Sequence, residues 1–162
     1  TDRSERARAL NEIGHLYVRE LDDKDQGVFA FAQALAQDPE SDDYATDLDR
    51  AAGGDMKIWA EALQILSQAT TSDAMPNDAK LALFNRLGPW YSEKIARPDL
   101  GLPCFQFVLS LDPANDRALE GIAHIYRRAQ QWQELGAVLL RRADRAHPVT
   151  GATGPGPPPR QW

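Results

Sequence analysis

The sequence predicts an all-α chain, a superhelical array of about four helical hairpins, and three observations carry that prediction. The stretch over residues 10–39, LNEIGHLYVRELDDKDQGVFAFAQALAQDP, returns over residues 84–113 as FNRLGPWYSEKIARPDLGLPCFQFVLSLDP. Subtracting the numbers of Gly14 from Gly88, Tyr17 from Tyr91, Asp25 from Asp99, Gly27 from Gly101, Phe31 from Phe105 and Pro39 from Pro113 gives 74 each time. Between these marks, apolar residues recur at three- and four-residue spacing, the period of a helix with one buried face. Asp38-Pro39 and Asp112-Pro113 close equivalent helices, because a proline disfavours helical backbone in the residue before it. An offset that survives two helices and their turn marks a repeat array rather than a single closed fold.

The first helix is expected from a Ser4 cap to about Glu20, with Ala7, Leu10, Ile13, Gly14 and Tyr17 on its core face. The charged turn DDKDQ interrupts the pattern, and a second helix capped at Asp25 carries Val28, Phe31, Ala34 and Leu35. Ser41, Asp42 and Asp43 offer caps for a third helix with a thinner stripe, Tyr44, Ala45, Leu48, Ala51 and Ala52, which Gly53-Gly54-Asp55 stops. The fourth, from about Met56 to Ala69, buries Ile58, Trp59, Ala62, Leu63, Leu66 and Ala69. The turn-rich stretch TTSDAMPND separates the two halves.

A fifth helix follows from about Asn77 to Lys94 or Ile95, a sixth from Asp99 to Leu111, a seventh from Asn115 to Ala129 and an eighth from Gln131 to about Ala146. Pro103 falls in the first turn of its helix, where no intrahelical N–H is needed, whereas Pro89 falls inside the fifth and predicts a bend or a later start. These boundaries give a helical repeat domain over residues 1–146, with hairpins at about 4–39, 41–70, 77–113 and 115–146. Residues 147–162, HPVTGATGPGPPPRQW, form a Pro/Gly-rich tail without apolar periodicity.

At 162 residues the chain is long enough to bury a core without disulfides or metals. Its one cysteine, Cys104, lies in the apolar run CFQFVL and reads as a small buried hydrophobe. A net charge of −6 argues against nucleic acid and against anionic membrane surfaces. No apolar run reaches the length of a membrane span, and TDRSERARAL has no signal-peptide core, so a soluble chain, cytoplasmic by default, is expected. His15, His124 and His147 show no paired metal spacing, and neither a phosphate loop nor a nucleophile elbow is present. We therefore expect no cofactor, no metal and no enzymatic activity.

The spacings resemble the tetratricopeptide repeat family. Its pattern of a large apolar residue, an apolar-small pair and an aromatic is met by Leu10, Ile13, Gly14 and Tyr17, by Phe84, Leu87, Gly88 and Tyr91, and by Leu119, Ile122, Ala123 and Tyr126. In second helices, Gly27, Phe31, Ala34 and Pro39 fit, as do Gly101, Phe105, Val108 and Pro113; Trp132, Leu135 and Leu139 match the set led by Trp59. The second hairpin fits least well, and two repeats of 37 exceed the usual 34-residue period.

The resemblance implies a right-handed α-α superhelix, of the long-period kind found in bacterial arrays, that binds a protein or peptide partner along its concave face. Mapped onto matching positions, that face comprises Arg8, Asn11, His15, Asn85, Arg86, Glu120, His124 and Arg127. Amide and guanidinium groups at these positions suit an extended or acidic peptide. The family's lysine and asparagine clamp for a terminal carboxylate is not reproduced. The alternative expectation is a chaperone or assembly adaptor for a secreted or multiprotein complex. Self-association through the Pro-rich tail is a further expectation.

Overall fold

The computed structural model describes residues 2–146, and every regular element in them is a helix. The expected tail, 147–162, lies outside the described residues. The elements are α1 (Asp2–Arg19), α2 (Lys24–Gln37), α3 (Asp42–Ala52), α4 (Met56–Ala69), α5 (Asn77–Lys94), α6 (Pro98–Leu111), α7 (Asp116–Arg128) and α8 (Trp132–Ala146). They form an all-α superhelical arrangement of packed hairpins, with α1 on α2, α5 on α6 and α7 on α8. The weaker second hairpin is braced differently, since α3 and α4 both pack on α2.

Side-chain caps set the starts of α2, α3, α4 and α7. Ser41, Asp55 and Asn115 each accept a bond from the backbone N–H three residues on, at 3.1, 3.2 and 3.0 Å. For α2 the cap is Asp23, accepting from the Gln26 N–H, rather than the expected Asp25, which lies in the first turn. α1 starts before Ser4, and α6 starts one residue before Asp99, with Pro98 at its first position. Pro89 neither delays nor ends α5, which runs unbroken through it, and Pro103, expected in a first turn, lies inside α6 because that helix starts at Pro98.

The duplication reaches backbone conformation. Asp22 and Ala96, 74 apart, both adopt left-handed backbone, with φ of 50° and 53°. Each is followed by an N–H that reaches back to a tyrosine carbonyl: Asp23 to Tyr17 at 2.9 Å and Arg97 to Tyr91 at 2.8 Å. Gln130, φ 59°, ends α7 in the same way, with Gln131 bonded to the Tyr126 carbonyl at 2.9 Å. These closures satisfy carbonyls that the helix end would otherwise leave open.

Packing repeats as well. A Cβ on Gly14 would stand 2.5 Å from the Phe31 ring, and one on Gly88 2.5 Å from the Phe105 ring. A phenyl ring laid on a glycine thus sets both hairpins' spacing. At the seams, Arg86 donates to the Pro39 carbonyl (3.0 Å) and to Asp42 (2.8 Å). In the second half, Arg141 donates to the Pro113 carbonyl (3.2 Å) and Arg142 to Asp116 (3.0 Å), the same acceptors 74 residues on.

The core divides into two clusters. The larger runs from Val28 through Trp59, Leu63 and Leu87 to Cys104, and the smaller from Phe105 to Val138. The division therefore falls within α6, whose successive residues Cys104 and Phe105 face different clusters, and not at the turn between the duplicated halves.

Two expectations about burial are corrected. Trp132 is 60% exposed and Leu139 39% exposed, because α8 turns Leu135 and Val138 inward and presents Trp132 and Leu139 outward. Ile13, expected on the core face of α1, is 41% exposed, because no described helix covers that side of the array's first element.

Candidate functional site

The helices that open each hairpin, α1, α3, α5 and α7, stand side by side, and cavities open in the gaps between them. Between α1 and α3 a space of about 320 Å³ is bordered by His15, Arg19, Phe31, Asp47 and Arg50. Between α3 and α5 a smaller one, about 180 Å³, is bordered by Thr46, Asp49, Arg86, Pro89 and Arg117. Between α5 and α7 a third, about 360 Å³, has Phe105 among its lining residues and Glu93, Arg117, Glu120 and His124 around it. Pro89 and Arg117 border both of the last two, which makes them neighbouring parts of one groove. A further space of about 340 Å³ adjoins at Ser92 and His124 and extends to Arg128.

The expected site residues fall on these helices but differ in their engagement. Asn11 and His15 converge on Asp47 of α3: Asn11 Nδ2 lies 3.1 Å and His15 Nε2 3.0 Å from its Oδ2. The His15 ring also stands edge-on to Phe31 at 5.0 Å between centroids. Arg50 completes the set at 3.3 Å from Asp47 Oδ1. Arg86 is held in the seam with Pro39 and Asp42, its side chain only 14% exposed. Arg8 and Arg127 are exposed. Glu120 and His124 are exposed at the α5–α7 gap.

The two halves line the equivalent gap with different groups. Asn85 repeats Asn11, but Pro89 stands where the first half has His15, and Gly121 where it has Asp47, each 74 residues on. The network that ties α1 to α3 is thus deleted between α5 and α7, and the cavity there, about 360 Å³ against about 320 Å³ in the first gap, is bordered by other groups. Ser92, which borders that cavity, has its Oγ buried without a hydrogen-bond partner, and Asn85 Oδ1 is buried unpartnered as well. Gly121 has a packing reason too: the Phe105 ring occupies the space that a Cβ would need.

Electrostatics around the groove are mixed. The Arg86 guanidinium holds the Asp42 carboxyl below its ordinary range, with Arg117 adding a smaller pull the same way. Lys94 is placed 3.3 Å from Asp49 and 5.4 Å from the centroid of the Trp59 ring. Burial raises the Tyr91 hydroxyl above its usual value, and its Oη lies 3.5 Å from the Leu63 carbonyl. Burial also pushes the Cys104 thiol up to about 12, which leaves it a protonated, inert core group.

Arg117 was missed by the sequence reasoning. It shares a helix face with Glu120 and His124 at three- and four-residue spacing, and that spacing was the available signal. Among the described residues, no group of three or more His, Cys, Asp or Glu could hold a metal ion, and no helix is long and apolar enough to cross a membrane. No protein-family model matches the chain, and no curated protein matches it in sequence.

Proposed function

We propose that this chain is a non-enzymatic, tetratricopeptide-type scaffold that binds a protein or peptide partner along the face formed by α1, α3, α5 and α7. The supporting observation is the altered α5–α7 gap. Both gaps hold a cavity, about 320 Å³ in the first half and about 360 Å³ in the second, but where the first spends Asp47 on neighbouring side chains the second has Gly121 and a border of Glu93, Arg117, Glu120 and His124. A space of that size accepts a peptide side chain, and its charged border offers both donors and acceptors to a peptide backbone. Asn11, His15 and Arg86 act mainly in positioning the helices, whereas Arg8, Glu120, His124 and Arg127 meet the partner.

The test is selection of a displayed random-peptide library on the chain, followed by binding of the enriched peptides to an Arg117→Glu, His124→Ala, Arg127→Glu variant. All three positions are exposed, so the fold survives their replacement. Loss of at least tenfold in affinity supports the groove. Undiminished binding by every enriched peptide refutes it.

A second reading, an assembly adaptor, is favoured by one observation: large apolar side chains stand exposed on both end helices, Ile13 and Leu16 on α1 and Trp132 and Leu140 on α8.

A further inference from the structure

The duplication that relates the two halves also relates their cavities. Nine residues line the α1–α3 cavity, and the residue 74 positions on from each of them lines either the α5–α7 cavity or the space that adjoins it at Ser92 and His124. The aromatic floor is kept, since Phe31 and Phe105 are counterparts and each is 2% exposed. Most of the side chains around that floor have changed. A hollow that persists through those changes belongs to the geometry of the repeat and not to one set of side chains.

What differs between the two cavities is charge. Arg19, Lys24 and Arg50 border the first, and Glu93, Pro98 and His124 stand in their places in the second half. The first cavity also has two carboxylates, Asp22 and Asp47, where the second half has Ala96 and Gly121. Asp47 is already engaged, with Asn11 and His15 on its Oδ2 and Arg50 on its Oδ1. Arg19 and Lys24 are exposed and make no ion pair among the described residues. Three cations against two carboxylates leave an excess of one positive charge at this border, in a chain whose net charge is −6. One carboxylate balances that excess, whereas a phosphate would bring about two negative charges to it.

We propose that the α1–α3 cavity takes one acidic side chain of the partner, its stem against Val18 and Phe31 and its carboxylate among Arg19, Lys24 and Arg50. Guanidinium and ammonium groups hold a carboxylate by charge-assisted hydrogen bonds, which salt screens at an exposed border. Glu93, in the place of Arg19, repels the same group from the duplicate cavity. The two cavities thereby give the partner a direction, with its acidic residue at the α1 end of the face. This inference rests on the reading of that face as the partner surface, and adds to it the chemistry of one contact.

Peptides enriched from the displayed library are expected to share an aspartate or glutamate, and a double-mutant cycle locates it. That residue is changed to its amide in the peptide, and the chain carries Arg19→Gln, Lys24→Gln, two exposed side chains whose replacement leaves the fold intact. Each change alone is expected to weaken binding about fivefold, less as salt is raised, and the two together little more than either. An Arg19→Glu, Lys24→Glu chain is expected to prefer the peptide with lysine at that place. Phosphoserine there is expected to bind no better than glutamate. Enriched peptides without a shared acidic residue overturn the proposal, as do additive losses in the cycle. So does coupling of the acidic residue to Arg117→Gln instead, which puts it at the α5–α7 cavity, and so does a gain of about tenfold with phosphoserine, which assigns the cavity to a dianion. In all four cases peptides still bind and the partner surface stands. A library that yields no binder removes that reading and this inference together.

Discussion

Single residues in this chain carry stresses that substitution can read. Ala96 holds φ of 53°, a conformation that costs an L-residue roughly 1–2 kcal/mol, at a helix end where glycine is the usual occupant. Ala96→Gly is expected to stabilise the protein by about 0.5–1 kcal/mol net of the unfolded-chain entropy it adds, as a shift in urea midpoint would show. Gly88→Ala should act oppositely, losing about 1–3 kcal/mol as the new methyl meets the Phe105 ring. The Arg86–Asp42 pair predicts a pH dependence. Its partners are 44 residues apart, so unfolding separates them and the lowered Asp42 pKa returns to 3.8. The pair's stabilisation is thus present above that value and lost as pH falls through the folded one. Asp42→Asn should cost stability at pH 7 and leave no difference from wild type once Asp42 is protonated in both states. An equal deficit at both pH values would assign the loss to something other than charge.

At the scale of elements, the sequence was legible where punctuation is local. Ser41, Asn115 and the two Asp-Pro pairs placed helix ends because capping and proline sterics act over three or four residues. Asn115→Ala is expected to cost about 1 kcal/mol by thermal or urea unfolding, since its side chain caps α7 and also donates to Asp112. Legibility failed where the deciding partner is distant or absent. The α8 stripe was set on Trp132 and Leu139 because apolar side chains fit a face in sequence, yet no described helix covers them. Asn11 and His15 were placed on the correct helix, but their commitment to Asp47 depends on α3, more than thirty residues on. Arg117 went unnoticed for the converse reason. Its spacing from Glu120 and His124 marks a shared helix face, but only the packing of α5 beside α7 makes that face border a cavity.

Across the whole molecule, stability is expected to be uneven. The cluster from Val28 to Cys104 is enclosed by α2 to α6, whereas the cluster from Phe105 to Val138 is closed on one side by α8 alone. In an array whose contacts are confined to elements one or two places apart in sequence, the less enclosed end opens first. Hydrogen exchange followed by mass spectrometry should show α7 and α8 exchanging well before α4 and α5, with the break near Cys104–Phe105 rather than at residues 70–76. Protection falling together at the duplication boundary would mean that the halves, not the two clusters, are the cooperative units.

Phe105 has one more consequence. Its ring is pinched between Gly88 of α5 and Gly121 of α7, so a single benzene ring, rooted on a helix behind the groove, acts as the feeler gauge for the distance between the two jaws in front. Calibre and chemistry are therefore separable. The width of the slot can be retuned through Phe105 without altering the charged groups that border it, and those groups can be exchanged without disturbing the width.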